Sequence, residues 1–198
     1  MAILDPSHRL HKHLHAFCIA CDAFWFAQSK LSGHELPEET RIGLAGTRSY
    51  DVTISGLSAF KRAIRGDPPG PVELFVSRKS IGVASLAGKT IRGPLGGLAT
   101  LFNDTMSAQF VLFYESHKSC AKLKTKPVWN FARVVRNAVS HCNTIHINKK
   151  NHIPVSWHDV VYDYGSNGRD VIGHDLHASD IILLMIDMNT ALDKLGCP

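Results

Sequence analysis

Long apolar runs are missing from this chain of 198 residues. The best of them, residues 16–27, is broken by Asp22 and falls short of the roughly 18 residues a membrane span needs. The start lacks the basic, apolar, small-residue order of an export signal. Asp5, His8, His11, His13 and His15 stand there instead, so an unexported, cytoplasmic protein is expected. Cysteine is scarce and odd in number, with Cys18, Cys21, Cys120, Cys142 and Cys197 at no framework spacing. That predicts free, mostly buried thiols in a reducing compartment. Charged residues make up only 20% against 44% hydrophobic, which excludes disorder, collagen and coiled coil. The length suits one domain able to bury its own core.

Several signatures of chemistry are also absent. There is no Gly-x-Ser-x-Gly elbow, no His-Glu-x-x-His and no dinucleotide fingerprint. Carboxylates paired one helical turn apart in an apolar setting are lacking too, which leaves hydrolysis by a metal or carboxylate pair with little support. Ala87-Gly88-Lys89-Thr90 has the end of a phosphate loop, but Val83 stands where the loop needs a glycine to close backbone N–H groups around phosphate. Cys18-x-x-Cys21 has no second pair with which to complete four zinc ligands, so buried helix cysteines are the better reading. The early histidines, with His11 and His15 one turn apart, read as a solvated helix face rather than a metal chelate. No metal and no cofactor is expected.

What is present is helical periodicity. Apolar residues recur at steps of three and four over Pro6 to Gln28 (Leu10, Leu14, Phe17, Phe24) and over Ser49 to Arg65 (Ile54, Leu57, Phe60, Ile64). The run Asp67-Pro68-Pro69-Gly70-Pro71 closes the second. Residues 66–97 are irregular and rich in proline and glycine, and Val72 to Ser77 fits either a short strand or the start of a bent helix. Leu98 to Lys122 and Val128 to Cys142 are two further helices, the latter introduced by Pro127 in a first-turn position. The β-branched and aromatic residues of 144–174, around Asn167-Gly168, predict one small hairpin. A last helix covers Ala178 to Leu195 and stops at Gly196. The expected fold is mainly all-α: a single domain over 1–198, a bundle of four to five helices with a small β-hairpin inserted before the last.

Charge is unevenly distributed. The net +5 divides into +2 over residues 1–115, +8 over 116–158 and −5 over 159–198. The middle window holds Lys118, Lys122, Lys124, Lys126, Arg133, Arg136, Lys149 and Lys150 and no acid. A polyanion is the partner such a stretch suits, because each neutralised phosphate releases counterions; a solvated lysine-rich turn is the alternative. Inside the window lies Arg133-Val-Val-Arg136-Asn137-Ala-Val-Ser140-His141. On a helix, Arg133, Asn137 and His141 share a face, with Arg136 and Ser140 on its flank. Arginine can hold charge on a phosphoryl group, asparagine can orient a phosphate or hydroxyl, and histidine moves protons near neutral pH. A polar helix face ending in a dipole-favoured histidine is the plainer reading of the same residues.

Arg136-Asn137-x-x-x-His141 resembles the signature of the HEPN superfamily of small helical domains. In that pattern an arginine, often followed by asparagine, precedes a histidine by four to six residues. The context is similar as well: a motif late on the penultimate long helix, then a variable insertion, then one closing amphipathic helix. Residues 95–195 resemble plasmid- and prophage-associated members described as RNases, while residues before that match only in architecture. The resemblance implies metal-independent cleavage of RNA by attack of the 2′-hydroxyl, leaving a 2′,3′-cyclic phosphate and a 5′-hydroxyl, in defence or a toxin system. It implies His141 as general acid or base, Arg136 as stabiliser of the transition-state charge and Asn137 as a positioning group. Arg133, Lys149 and Lys150 become candidate RNA contacts, and a homodimer with facing motifs is implied. Members silenced by a nucleotidyltransferase antitoxin carry tyrosine two residues after the histidine; Asn143 stands here instead. A non-catalytic HEPN-like module that binds RNA or nucleotide, or that dimerises, is the alternative from another class.

Overall fold

Residues 2–33, 41–44, 50–56, 59–78, 94–148 and 153–197 are described by the computed structural model, and its contacts divide the chain into two compact units, Met1–Ala87 and Gly88–Pro198. Each is considered by itself.

The first unit is built on a four-stranded antiparallel sheet. Its strands are β1 (Ala2–Leu4), β2 (Arg41–Leu44), β3 (Tyr50–Ser55) and β4 (Val72–Arg78), in the order β1-β4-β3-β2. Register places Ile42 opposite Ile54, Ile54 opposite Leu74, and Leu4 opposite Val72. Because side chains alternate along a strand, these residues with Val52 and Leu44 form one apolar face, and all of them are buried. Helix α1 (His11–Ser32) buries Leu14, Phe17, Cys18 and Cys21 and meets both β4 and the short helix α2 (Ala59–Arg65). Gly56 makes a close approach possible: a Cβ there would lie 2.6 Å from the Cys18 Cβ. Gly33 ends α1 in the left-handed conformation with φ of 71°.

In the second unit, α3 (Pro94–His117), α4 (Pro127–Ser140) and α5 (Ala178–Leu195) pack on one another around Met106, Phe110, Phe113, Val135, Ile181, Met185 and Met188, all fully buried. Each such side chain contributes about 1.5–3 kcal/mol when fully removed from water. Trp129 donates its indole N–H to the Met188 carbonyl at 3.2 Å. A two-stranded ribbon, β5 (Val155–Trp157) and β6 (Val160–Tyr162), lies against α4, where Phe131 stacks on Tyr162 with centroids 5.1 Å apart. Asn103 of α3 accepts the Ala178 N–H at 2.8 Å, satisfying a donor at the start of α5. A disulfide joins Cys120 to Cys197.

Four expectations need correction. The fold is mixed α/β rather than a mainly helical bundle: among the described residues, five α-helices accompany a four-stranded and a two-stranded antiparallel sheet. The helix expected over Ser49 to Arg65 is a strand followed by a short helix. The alternation of Val52 and Ile54 within Tyr50–Ser55 serves a sheet face, and Ile64, counted toward a helical face, is 67% exposed. The hairpin turns at His158 and Asp159, not at Asn167-Gly168; Asn167 instead exchanges hydrogen bonds with the backbone of Ile147. Finally, two of the five cysteines are paired and Cys142 is exposed, so only Cys18 and Cys21 fit the buried free thiol. Burial raises both of those thiols, that of Cys21 to about 12. By contrast, the closing helix spans Ala178–Leu195 with Gly196 as a left-handed cap, as its sequence predicts.

Candidate functional site

Helix α4 separates its chemistry by face. Phe131, Ala132, Val134, Val135 and Ala138 are buried, while Arg133 is exposed and Arg136 and Asn137 are half-buried. Pro127 starts the helix at its first turn, and Lys126 precedes it in extended conformation. The helix ends at Ser140, two residues earlier than the apolar pattern suggests. His141 caps it with φ −123° and ψ 61°, still donating its N–H to the Ala138 carbonyl at 3.0 Å. His141 therefore leaves the helical register that would align it with Arg133 and Asn137, and its side chain is exposed in the turn that follows.

That turn is shaped by two left-handed residues and a pair of hydrogen bonds. Cys142 and Asn143 both take positive φ, 56° and 65°, a conformation asparagine tolerates better than most residues. Asn143 donates its side-chain amide to the Ile172 carbonyl at 2.9 Å and accepts the Ile172 N–H at 2.7 Å. Ile145 and Ile147 are buried, and between them His146 projects outward. The rings of His141 and His146 lie 6.1 Å apart at 83° to each other.

Arg136 is already engaged. Its Nε and Nη2 both donate to Oε1 of Glu115 on α3, at 2.7 and 2.6 Å, and its Nη1 donates to the Asn137 side-chain oxygen at 3.2 Å. Glu115 also pairs with Lys118 through its other oxygen. The hydrogen bond from Lys118, followed by the bond and charge of Arg136, holds the Glu115 carboxyl below its ordinary range. Next to it the Tyr114 hydroxyl is raised by burial, an effect that the charges of Arg133 and Arg136 partly oppose.

Of the residues singled out by sequence, Arg136 and Asn137 are hydrogen-bonded to each other and Arg133 lies on the same helix. Lys149 and Lys150 lie outside the described residues, as does the phosphate-loop-like segment at Gly88. Sequence reasoning missed Glu115 and His146. Glu115 sits one residue before the acid-free window and one helical step from Lys118, a spacing at which an ion pair is ordinary. His146 gave a weaker signal, an isolated histidine between two isoleucines in a segment of alternating character.

The early histidines behave differently from the expected solvated face. His11, His13 and His15 are all buried, His11 and His15 stack with centroids 5.2 Å apart, and His11 Nε2 lies 2.8 Å from the Gly70 carbonyl. Burial, the neighbouring His11 and the charge of Arg62 together depress the proton affinity of His15. Among the described residues no three histidine, cysteine or acidic side chains are grouped so as to hold a metal ion, and no helix is long and apolar enough to cross a membrane. The chain matches no family model, no curated protein and no solved structure.

Proposed function

We propose that this chain is a metal-independent endoribonuclease of HEPN type, acting in defence or as a toxin, with Arg136, Asn137 and His141 as its site. The observation that carries the reading is the succession, along the end of one amphipathic helix and the residue that caps it, of a guanidinium, an amide and an exposed imidazole on the most basic stretch of the chain. In the proposed step the 2′-hydroxyl gives its proton to an imidazole and its oxygen bonds to phosphorus. The bond to the 5′-oxygen breaks, and that oxygen takes a proton from an imidazolium. Arg136 meets the charge that accumulates on the phosphoryl oxygens, for which its contact with Glu115 must yield. Arg133, with Lys149 and Lys150, supplies contacts to the RNA backbone. Pairing of two copies belongs to the same reading and is measured by molar mass in solution.

A second reading has its own support. The guanidinium of Arg136 is occupied by a carboxylate, the arrangement expected of a structural ion pair in a module that binds RNA or nucleotide without cutting it. One experiment separates the two. The purified protein, given single-stranded RNA in EDTA, should produce fragments ending in 2′,3′-cyclic phosphate, and His141→Ala and Arg136→Ala should each abolish them with the fold intact. RNA bound but left whole decides for the second reading; cutting that survives His141→Ala refutes the mechanism.

A further inference from the structure

We infer that His146 is the second acid–base group of the site, so that one chain supplies both imidazoles for RNA cleavage; the inference rests on the ribonuclease reading above. Cleavage through a cyclic phosphate needs two proton transfers on opposite sides of one phosphorus. One group removes the proton of the attacking 2′-hydroxyl, and another delivers a proton to the departing 5′-oxygen. The Arg-Asn-His motif contains only one histidine.

The fold places another beside it. His146 is five residues beyond His141, and its ring centroid lies 6.1 Å from that of His141, with near-perpendicular planes. Both side chains are exposed, so both reach solvent and a substrate. Two imidazoles this close can meet one phosphodiester together, one at its entering and one at its leaving oxygen.

The pair is held by its surroundings. The Thr144 N–H donates to the His141 carbonyl at 3.2 Å, closing the turn between the two residues. Ile145 and Ile147, on either side of His146, are buried. The Ile145 N–H donates to the Arg169 carbonyl at 3.0 Å, and its own carbonyl accepts the Gly168 N–H at 3.0 Å. Ile147 exchanges backbone hydrogen bonds with the Asn167 amide at 2.6 and 3.0 Å. With both neighbours pinned, the backbone that carries His146 is held beside the turn at His141, and the His146 side chain is exposed. Such preorganisation is what paired proton transfer requires.

In the step, one imidazole accepts the 2′-hydroxyl proton as the 2′-oxygen bonds to phosphorus. The other, entering as imidazolium, gives its proton to the 5′-oxygen as the P–O5′ bond breaks. Water later returns the pair to its starting protonation.

The test compares the full-length wild type with His141→Ala and His146→Ala, in EDTA, on two substrates. One is single-stranded RNA; the other is the 3′-(4-nitrophenyl phosphate) of uridine, whose leaving group departs without a proton. Both variants should cut RNA at least about 100-fold more slowly than wild type. On the nitrophenyl ester the variant that has lost the acid should return to near the wild-type rate, and the one that has lost the base should stay slow. Added imidazole should restore part of the His146→Ala rate. If His146→Ala does not fold, His146→Asn is read in the same way. Wild-type cutting of RNA by the His146 variant, or identical behaviour of the two variants on both substrates, overturns the role of His146 and leaves the ribonuclease reading standing. A wild type that cuts neither substrate overturns both.

Discussion

Two groups of histidines on this chain make an instructive contrast. His11, His13 and His15 belong to α1 of the first unit and are buried, whereas His141 and His146 flank a turn of the second unit and are exposed. In both groups two rings are neighbours, stacked in the first and perpendicular in the second. The first group spends its polarity on the protein, with His11 against a backbone carbonyl and His15 held away from its charged form. The second lies exposed to solvent. Histidine clusters alike in sequence are thus a packing device in one place and a candidate reaction centre in the other, and burial is what separates them.

The contrast can be broken or sharpened experimentally. The largest effect is expected at the exposed pair: His141→Ala should lower RNA cleavage in EDTA by about 10²–10⁴-fold, the usual share of a general acid or base, with the thermal melt unchanged. Equal loss of activity from His11→Ala in folded protein would dissolve the distinction.

Next comes stability. Replacing His11 by alanine leaves the Gly70 carbonyl without its partner and should cost about 1–3 kcal/mol in urea denaturation. His146→Ala, at an exposed position, should stay within about 0.5 kcal/mol of wild type.

Acid should act on the buried group through His15. The folded state depresses the proton affinity of His15 below its ordinary 6.5, so the unfolded chain binds that proton more readily. Stability is therefore unaffected well above pH 6.5 and falls as pH drops below it, until the lowered folded value is passed. His15→Gln should remove part of that fall, measured as the difference in melting temperature between pH 8 and pH 5.5. An identical difference in the variant would show that other groups carry the acid sensitivity.

The smallest effect concerns the ion pair. Glu115→Gln removes the carboxylate that holds Arg136, and RNA affinity should rise by roughly two- to fivefold, the scale of one added phosphate contact. An affinity that falls instead would mean that Glu115 positions Arg136 for RNA rather than competing with it.

How much of this was legible in advance differs by element. Ala178–Leu195 has an N-terminal Asp180, apolar residues at helical spacing and a terminal glycine, all local signals, and the helix has the ends they mark. Pro127 likewise marked the start of α4. The four-stranded sheet was not legible. Arg41–Leu44 hides in a glycine-rich stretch, and Tyr50–Ser55 carries Ile54 at a spacing that also suits a helix. What decides for strand is pairing with β4, whose residues lie some twenty positions away, as Ile54 opposite Leu74 shows. The same holds at the site. Arg136, Asn137 and His141 could be named from spacing, but the partner of Arg136 is on another helix, 21 residues earlier.

By itself the sequence determined what depends on neighbours along the chain. The helical periods, the first-turn proline, the concentration of positive charge in 116–158 and the Arg-Asn-His spacing all belong there. The tertiary structure decided which face of each element is dry, and with it the sheet, the burial of the α1 histidines, the hold of Glu115 on Arg136 and the approach of His146 to His141. The physical reason is range. Backbone geometry and capping are settled within a few residues, whereas burial and ion pairing depend on segments that only the folded chain brings together.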